Sequence, residues 1–180
     1  MGENVVFLQG EQIDLVVKNI EHINTYHKWV NNPITRSYFG VDIPVTLEVI
    51  KKEWFPDERD EKNIWFEIWH KEDQIPIGLV GFFQIYNIHR RAEIGIIIGE
   101  PEYWGKGIGV EAVNLLFKYG FNTLNYHKIL ASVNTSNTRS LGMCKKLGFI
   151  EEGHQKDMDF IDGKWDGVIL LGMFKKDRKD

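Results

Sequence analysis

Residues 99–112, Gly-Glu-Pro-Glu-Tyr-Trp-Gly-Lys-Gly-Ile-Gly-Val-Glu-Ala, carry the densest chemical signal in the chain. Gly105, Gly107 and Gly109 stand at alternate positions between two apolar stretches. Ile94 to Ile98 reads as a buried strand, and Ala112 to Phe117 has helical apolar spacing. Glycine at a strand-to-helix junction lets the backbone take φ > 0 and lets a ligand reach the amides with no Cβ in the way. The helix start adds unsatisfied N–H groups and the positive end of its dipole, which together favour a phosphate or pyrophosphate. A dinucleotide fold needs Gly-x-Gly-x-x-Gly and an acidic residue about 20 residues on. Here the spacing is Gly-x-Gly-x-Gly, and Asn125 to Lys128 hold no carboxylate. An NTPase phosphate loop needs Gly-Lys followed by Ser or Thr, whereas Lys106 is followed by Gly107. Taken alone, the segment also allows a glycine-rich turn without ligand.

The run Trp104-Gly105-Lys106-Gly107-Ile108-Gly109, leading into Val110, resembles the coenzyme A pyrophosphate loop of the GNAT family of N-acetyltransferases. That signature is Arg or Gln, then x-x-Gly-x-Gly or Ala, and Trp104 replaces its first residue. The resemblance continues in the strand Lys128–Asn134, the segment Asn137-Thr138-Arg139-Ser140, and a helix ending in Leu147-Gly148-Phe149. Asn87–Ile94 and Phe149–His154 look like the branch of spermidine acetyltransferase and the ribosomal-protein N-terminal acetyltransferases. The likeness covers residues 77–170 and is weak before residue 60, where substrate is usually recognised.

What the resemblance implies is an acetyl-CoA-dependent transfer of an acetyl group to a primary amine, direct in a ternary complex. The acceptor stays open among a polyamine, a protein N-terminus and an amino sugar. The family likeness implies that Ile96, Ile97 and Ile98 lend backbone groups to the pantetheine arm, with strand amides in an oxyanion-type role. It puts the phosphates on Trp104 to Val110, and Asn134, Asn137 and Ser140 on the cofactor as well. Lys106, Arg139, Lys145 and Lys146 lie in sequence near those phosphates. A protonated amine needs a base, direct or through water; Glu93, opening the central strand, is the candidate and Glu67 the reserve. Many family members place a Tyr four residues before Gly-Phe, as the acid for the leaving thiolate. Cys144 stands there in this chain, read as a small core residue or as a thiol proton donor. A non-catalytic acyl-CoA-binding or sensing module is the alternative function, resting on Cys144 and Trp104.

The remaining elements must position these groups. The chain has 180 residues, 43% hydrophobic and 27% charged, as expected of one globular domain. The expected organisation is a single N-acetyltransferase domain over 1–180, with acceptor-side helices in 1–60, sheet and cofactor core in 61–174, and a frayed tail in 175–180. The net charge of −4, without a dense basic run, argues against nucleic acid. No apolar run reaches the roughly 18–20 residues of a membrane span, so a cytoplasmic protein free of membrane is expected. One cysteine and scattered histidines offer no metal site. A homo-oligomer is compatible with all of this.

Val5–Leu8 and Ile13–Val17 read as a first strand turned at Gln9-Gly10. Ile20–Val30 and Leu47–Phe55 read as helices, the latter capped by Thr46 and ended by Pro56. Trp29, Tyr38, Phe39, Trp54 and Trp65 are read as core or as the wall of an acceptor pocket. A hairpin, Trp65–His70 and Ile75–Tyr86, precedes strand Glu93–Ile98. Then come a helix over 107–121, a strand over 128–134, a helix over 137–147, and a hairpin through Asp162-Gly163. This order predicts an α/β fold, GNAT-like, with a central mixed, mostly antiparallel sheet flanked by helices.

Overall fold

The computed structural model describes residues 4–178 except Arg59, and of Tyr38 the backbone alone. Among them run β1 (Val6–Gln9), β2 (Ile13–Val17), α1 (Ile23–Asn31), α2 (Leu47–Trp54), β3 (Ile64–His70) and β4 (Ile75–Tyr86). There follow β5 (Arg91–Ile98), α3 (Ile108–Lys118), β6 (Lys128–Asn134), α4 (Thr138–Leu147), β7 (Ile150–Ile161) and β8 (Lys164–Phe174). The hydrogen-bonded strand order is β1-β2-β3-β4-β5-β6-β8-β7. Pairing is antiparallel at β1/β2, β2/β3, β6/β8 and β7/β8, and parallel at β5/β6. A mixed, mostly antiparallel sheet with flanking helices is the fold class the sequence leads one to expect. No helix among the described residues is long and apolar enough to cross a membrane.

The chain forms two compact units. The first takes residues up to Gly81 together with Ile96–Leu115. In it, β2 is buried over four consecutive residues, Ile13 to Val16, as a strand covered on both faces must be. Tyr26, Trp29 and Val30 share one face of α1 and pack with Ile50 of α2 and Leu79 of β4. Phe39, Trp54, Phe55 and Trp65 close around that cluster, which places four of the five aromatic candidates in the core. The side chain of the fifth, Tyr38, lies outside the described residues. Each large apolar side chain buried this way contributes about 2–3 kcal/mol. The helix expected from Ile20 begins instead as a 3-10 turn, Ile20–His22, with α1 starting at Ile23. The Asn19 side chain accepts from the Glu21 amide, and the His22 amide donates to Asn19 O at 3.0 Å, a spacing that tightens this turn.

The second unit takes Phe82–Gly95 and the residues from Leu116 on. β6 pairs with β8 along its full length, Lys128↔Phe174 to Asn134↔Val168. The β7–β8 hairpin closes through Asp162 (φ 48°) and Gly163 (φ 80°), the left-handed pair of a type I′ turn that Asp-Gly favours. The helix expected over 107–121 leaves α geometry after Lys118 and continues as a wider π turn, Tyr119–Thr123. The Tyr126 amide takes the Gly120 carbonyl at 2.9 Å, withdrawing it from the helical ladder. Phe117, Phe121 and Phe149 then stack in this unit's core. Lys175–Asp177 forms a 3-10 turn, with the Lys175 amide on His127 O at 3.2 Å; Lys179 and Asp180 lie outside the described residues.

Candidate active site

The first unit builds the glycine loop from the end of β5. The Trp104 indole N–H donates to Ile98 O at 2.9 Å, tying the residue that opens the loop to the strand that precedes it. The Trp29 indole N–H and the Lys28 ammonium both hold Glu100, at 2.9 and 2.8 Å. A Cβ on Gly99 would meet the Trp29 indole at 2.3 Å, so only glycine lets the chain pass there. Pro101–Tyr103 makes a 3-10 turn, and the Tyr103 hydroxyl donates to Asp73 at 2.5 Å. That hydrogen bond, ahead of burial and nearby charge, pushes the Tyr103 phenol up to about 12. Lys106 lies with its ammonium 5.3 Å from the centre of the Tyr103 ring.

Past Trp104 the backbone opens. Gly105 and Gly107 have φ of 77° and 85°, and a Cβ at either would have nothing within 4 Å. Among the described residues, none accepts a hydrogen bond from the amides of Gly105 to Val110. The helical ladder begins only with the Glu111 amide on Gly107 O at 3.1 Å. An accessible row of donors at the positive end of a helix dipole is the geometry of an anion site. Glu111, in the first turn of α3, is turned the other way. Its carboxylate accepts from the amides of Glu11 (2.6 Å), Gln12 (3.0 Å) and Ile13 (3.4 Å) and so clamps the β1–β2 turn.

β5 pairs in parallel with β6 over Arg91–Glu93 and Lys128–Leu130, and Ile94–Ile98 runs on past that ladder. Ile96, Ile97 and Ile98 are half-buried. In the second unit, Glu93 is half-buried, and among the described residues no hydrogen bond or ion pair engages its carboxylate. Its neighbouring arginines are taken elsewhere. The Arg90 guanidinium holds Asn125 O and Oδ1 at 2.9 and 2.8 Å, and Arg91 lies 4.8 Å from the Tyr86 ring centre. Asn134 donates to Asp159 at 2.7 Å. Asn137 caps α4, its Oδ1 accepting from the Ser140 amide at 3.1 Å, so the two polar residues expected on the cofactor also fix this helix start.

The surroundings of Cys144 and Glu67 bear on the roles expected of them. Cys144 is buried, and burial pushes its thiol up to about 11. A free thiol ionises near ~8.5, so burial makes Cys144 the weaker acid of the two, in keeping with its reading as a small core residue. Glu67, the reserve base, is fully buried. It accepts from the Tyr26 hydroxyl, the Asn19 amide (3.0 Å) and the His22 ring Nδ1 (2.9 Å), which makes it a structural hub joining β3 to α1. Burial first, then the Glu67 charge, raises the Tyr26 phenol far above its usual value, so it stays a proton donor. Sequence reasoning missed this hub and the Glu111 clamp, because their partners lie more than 40 residues away along the chain.

Residues 15–150 match the model of the Acetyltransferase (GNAT) domain. The chain belongs to the GNAT acetyltransferase family. Among its relatives is the spermidine N(1)-acetyltransferase of Escherichia coli K12, 40% identical over 98 residues, 54% of this chain and 52% of that one. The spermidine N(1)-acetyltransferase of Vibrio cholerae is 41% identical over 92 residues, 51% of this chain and 53% of that one. In these alignments the chain spans about half the length of the curated relatives it matches. A crystal structure of the Vibrio cholerae spermidine N-acetyltransferase with CoA and spermine superposes with a TM-score of 0.84, at 29% identity, over 92% of this chain and 97% of that one. A dodecameric structure of that enzyme superposes with a TM-score of 0.75, at 29% identity, over 92% and 95%. The likeness to the spermidine branch of the GNAT family, first seen in Asn87–Ile94 and Phe149–His154, is thereby shown.

Proposed function

We propose that this GNAT protein is an acetyl-CoA-dependent N-acetyltransferase acting on a primary amine. The observation that carries the reading is the open row of amides from Gly105 to Val110 at the start of α3, with no side chain in the way at Gly105 and Gly107. That cradle fits a pyrophosphate, and a CoA thioester supplies an acetyl group activated for attack by nitrogen. Trp104 sets the loop on the Ile98 carbonyl, and Lys106 adds positive charge beside it. Ile96 to Ile98, lying past the β5/β6 ladder, offer amides and carbonyls to the pantetheine arm. Asn134, Asn137 and Ser140 are carried over from the resemblance as further cofactor contacts.

Glu93 takes the proton from the acceptor ammonium, directly or through water. The neutral nitrogen attacks the thioester carbon, the C–N bond forms and the C–S bond breaks; the nitrogen gives up its second proton to solvent, and solvent protonates the thiolate. Polyamines lead the acceptor classes, because the relatives named above act on spermidine. A protein N-terminus and an amino sugar follow, because Asp42 is the one carboxylate in Tyr38–Val45. The dodecameric relative also supports a homo-oligomer, which light scattering at two concentrations would test.

Thiol release from acetyl-CoA, measured with spermidine, an aminoglycoside, an amino sugar and short peptides, tests the proposal. Turnover with one class supports it and names the acceptor. Calorimetric cofactor binding with no turnover across the panel leaves an acyl-CoA-binding module, and no binding at all defeats both readings.

A further inference from the structure

Tyr103 ends the 3-10 turn that leads into the glycine loop, and its side chain is buried. The β3–β4 turn of the same unit fixes its ring from two sides. The hydroxyl donates to Asp73 Oδ2 at 2.5 Å, and the His70 ring Nδ1 lies 2.8 Å from that same oxygen. The His70 and Tyr103 rings are 4.9 Å apart, tilted by 58°. The turn that presents Asp73 is itself held. Gln74 takes a left-handed φ of 55°, its amide donates to His70 O at 2.9 Å, and its side chain donates to Lys71 O at 2.5 Å.

A ring anchored at its tip and along one side offers a fixed face, and the Lys106 ammonium lies 5.3 Å from its centre. Lys106 is exposed and stands between Gly105 and Gly107. Among the described residues no carboxylate forms an ion pair with it, Glu102 four positions earlier included. An exposed lysine is otherwise a mobile charge on a flexible stem, and ordering it costs rotamer entropy. Its flanking glycines face open space and give it no steering. An aromatic face attracts the cation through the ring quadrupole. The contact uses no conventional acceptor, so all three N–H groups stay available to an anion.

We propose that Tyr103 is a positioning residue for the cofactor: its ring, fixed by Asp73 and His70, holds the Lys106 ammonium beside the amide row from Gly105 to Val110. The inference rests on the reading of that row as the phosphate site and adds the side chains that place its charge.

Calorimetric titration with acetyl-CoA tests it in a double-mutant cycle. Lys106→Met should weaken binding at least about tenfold, and Tyr103→Leu at least about fivefold. Tyr103→Phe keeps the ring and should recover most of that loss. In the Lys106→Met background, Tyr103→Leu should cost less than about twofold, because the cation that the ring places is gone. Asp73→Ala, at an exposed turn position, gives a second route that spares the buried tyrosine. Deleting a negative charge near an anion site would by electrostatics alone tighten binding. The expected result is instead a weakening of about threefold, again absent with Lys106→Met. The inference is overturned, with the phosphate site intact, if either Tyr103→Leu or Asp73→Ala binds acetyl-CoA as tightly as the wild type. It is equally overturned if their losses add in full to that of Lys106→Met. No binding of acetyl-CoA to the wild type would overturn the phosphate-site reading and this inference together.

Discussion

At the start of α4 the first turn is closed by the chain itself, with the Asn137 side-chain Oδ1 accepting from the Ser140 amide at 3.1 Å. At the start of α3 the corresponding amides meet no acceptor among the described residues, and the preceding positions Gly105 and Gly107 have φ of 77° and 85° and face open space. Both helices present the same row of N–H groups and the same dipole end. What differs is the side chain placed before them: a short polar one that folds back, or none. A capped start spends its donors on stability, while an open one keeps them for a ligand. The contrast separates a helix start whose first-turn amide is closed by its own cap from one left open, as the proposed phosphate site requires.

The sharpest way to break that contrast is to put a carboxylate into the open end. Gly107→Glu should weaken acetyl-CoA by at least about 100-fold in calorimetry, an effect of roughly 3 kcal/mol. Gly107→Ala, which adds backbone strain without charge, should lose less. If Gly107→Glu binds normally, the α3 start is not the phosphate site. Next in size comes Glu93→Gln, which should lower kcat by at least about tenfold and remove the limb of the pH profile due to a general base. Its cofactor Kd should stay level, so that chemistry and phosphate binding separate; an unchanged rate and profile would remove Glu93 from the mechanism.

At the closed end, Asn137→Ala should cost about 1 kcal/mol of stability in urea unfolding, the usual value of an N-cap. A loss of cofactor affinity as large as that of Gly107→Glu would erase the distinction drawn between the two helices. The smallest effect concerns Cys144. Its thiol ionises near 9 when exposed and at about 11 when folded, so the neutral form is favoured by the native state. Its contribution, on the order of 2–3 kcal/mol, is complete below pH 9 and is lost as pH rises toward 11. Comparing urea midpoints of wild type and Cys144→Ala across that window should show the wild type falling faster. Parallel curves would mean the thiol is exposed.

The elements legible in the sequence are those in which one residue's own conformational preference decides the geometry. Gly105 and Gly107 mark left-handed positions, Asp162-Gly163 marks a type I′ turn, and Asn137 marks a cap, each within a few residues of its effect. Strand β6 matches its expected span, Lys128–Asn134, with Ile129, Ala131 and Val133 buried at alternate positions along it. What could not be read depends on distant partners. Glu67 looks like any carboxylate on a strand until Tyr26, His22 and Asn19 converge on it. Glu111 looks like a solvated helix residue until residues 11–13 arrive as donors. Trp104 breaks the family signature in sequence, yet its indole secures the loop through Ile98 O. The π turn after Lys118 likewise follows from a carbonyl claimed by Tyr126, which no periodicity encodes.

Cys144 is the sole cysteine of the chain, and its thiol is sheltered and protonated at neutral pH. Thiolates, not thiols, react with disulfide reagents and maleimides. The native protein is therefore nearly silent to both. Colour developed by a disulfide dye during turnover reports released coenzyme A with little background from the enzyme. A cysteine introduced at an exposed position such as Ile88, 95% accessible, would be the only one to take a fluorophore, giving a single-site probe without first deleting the native residue.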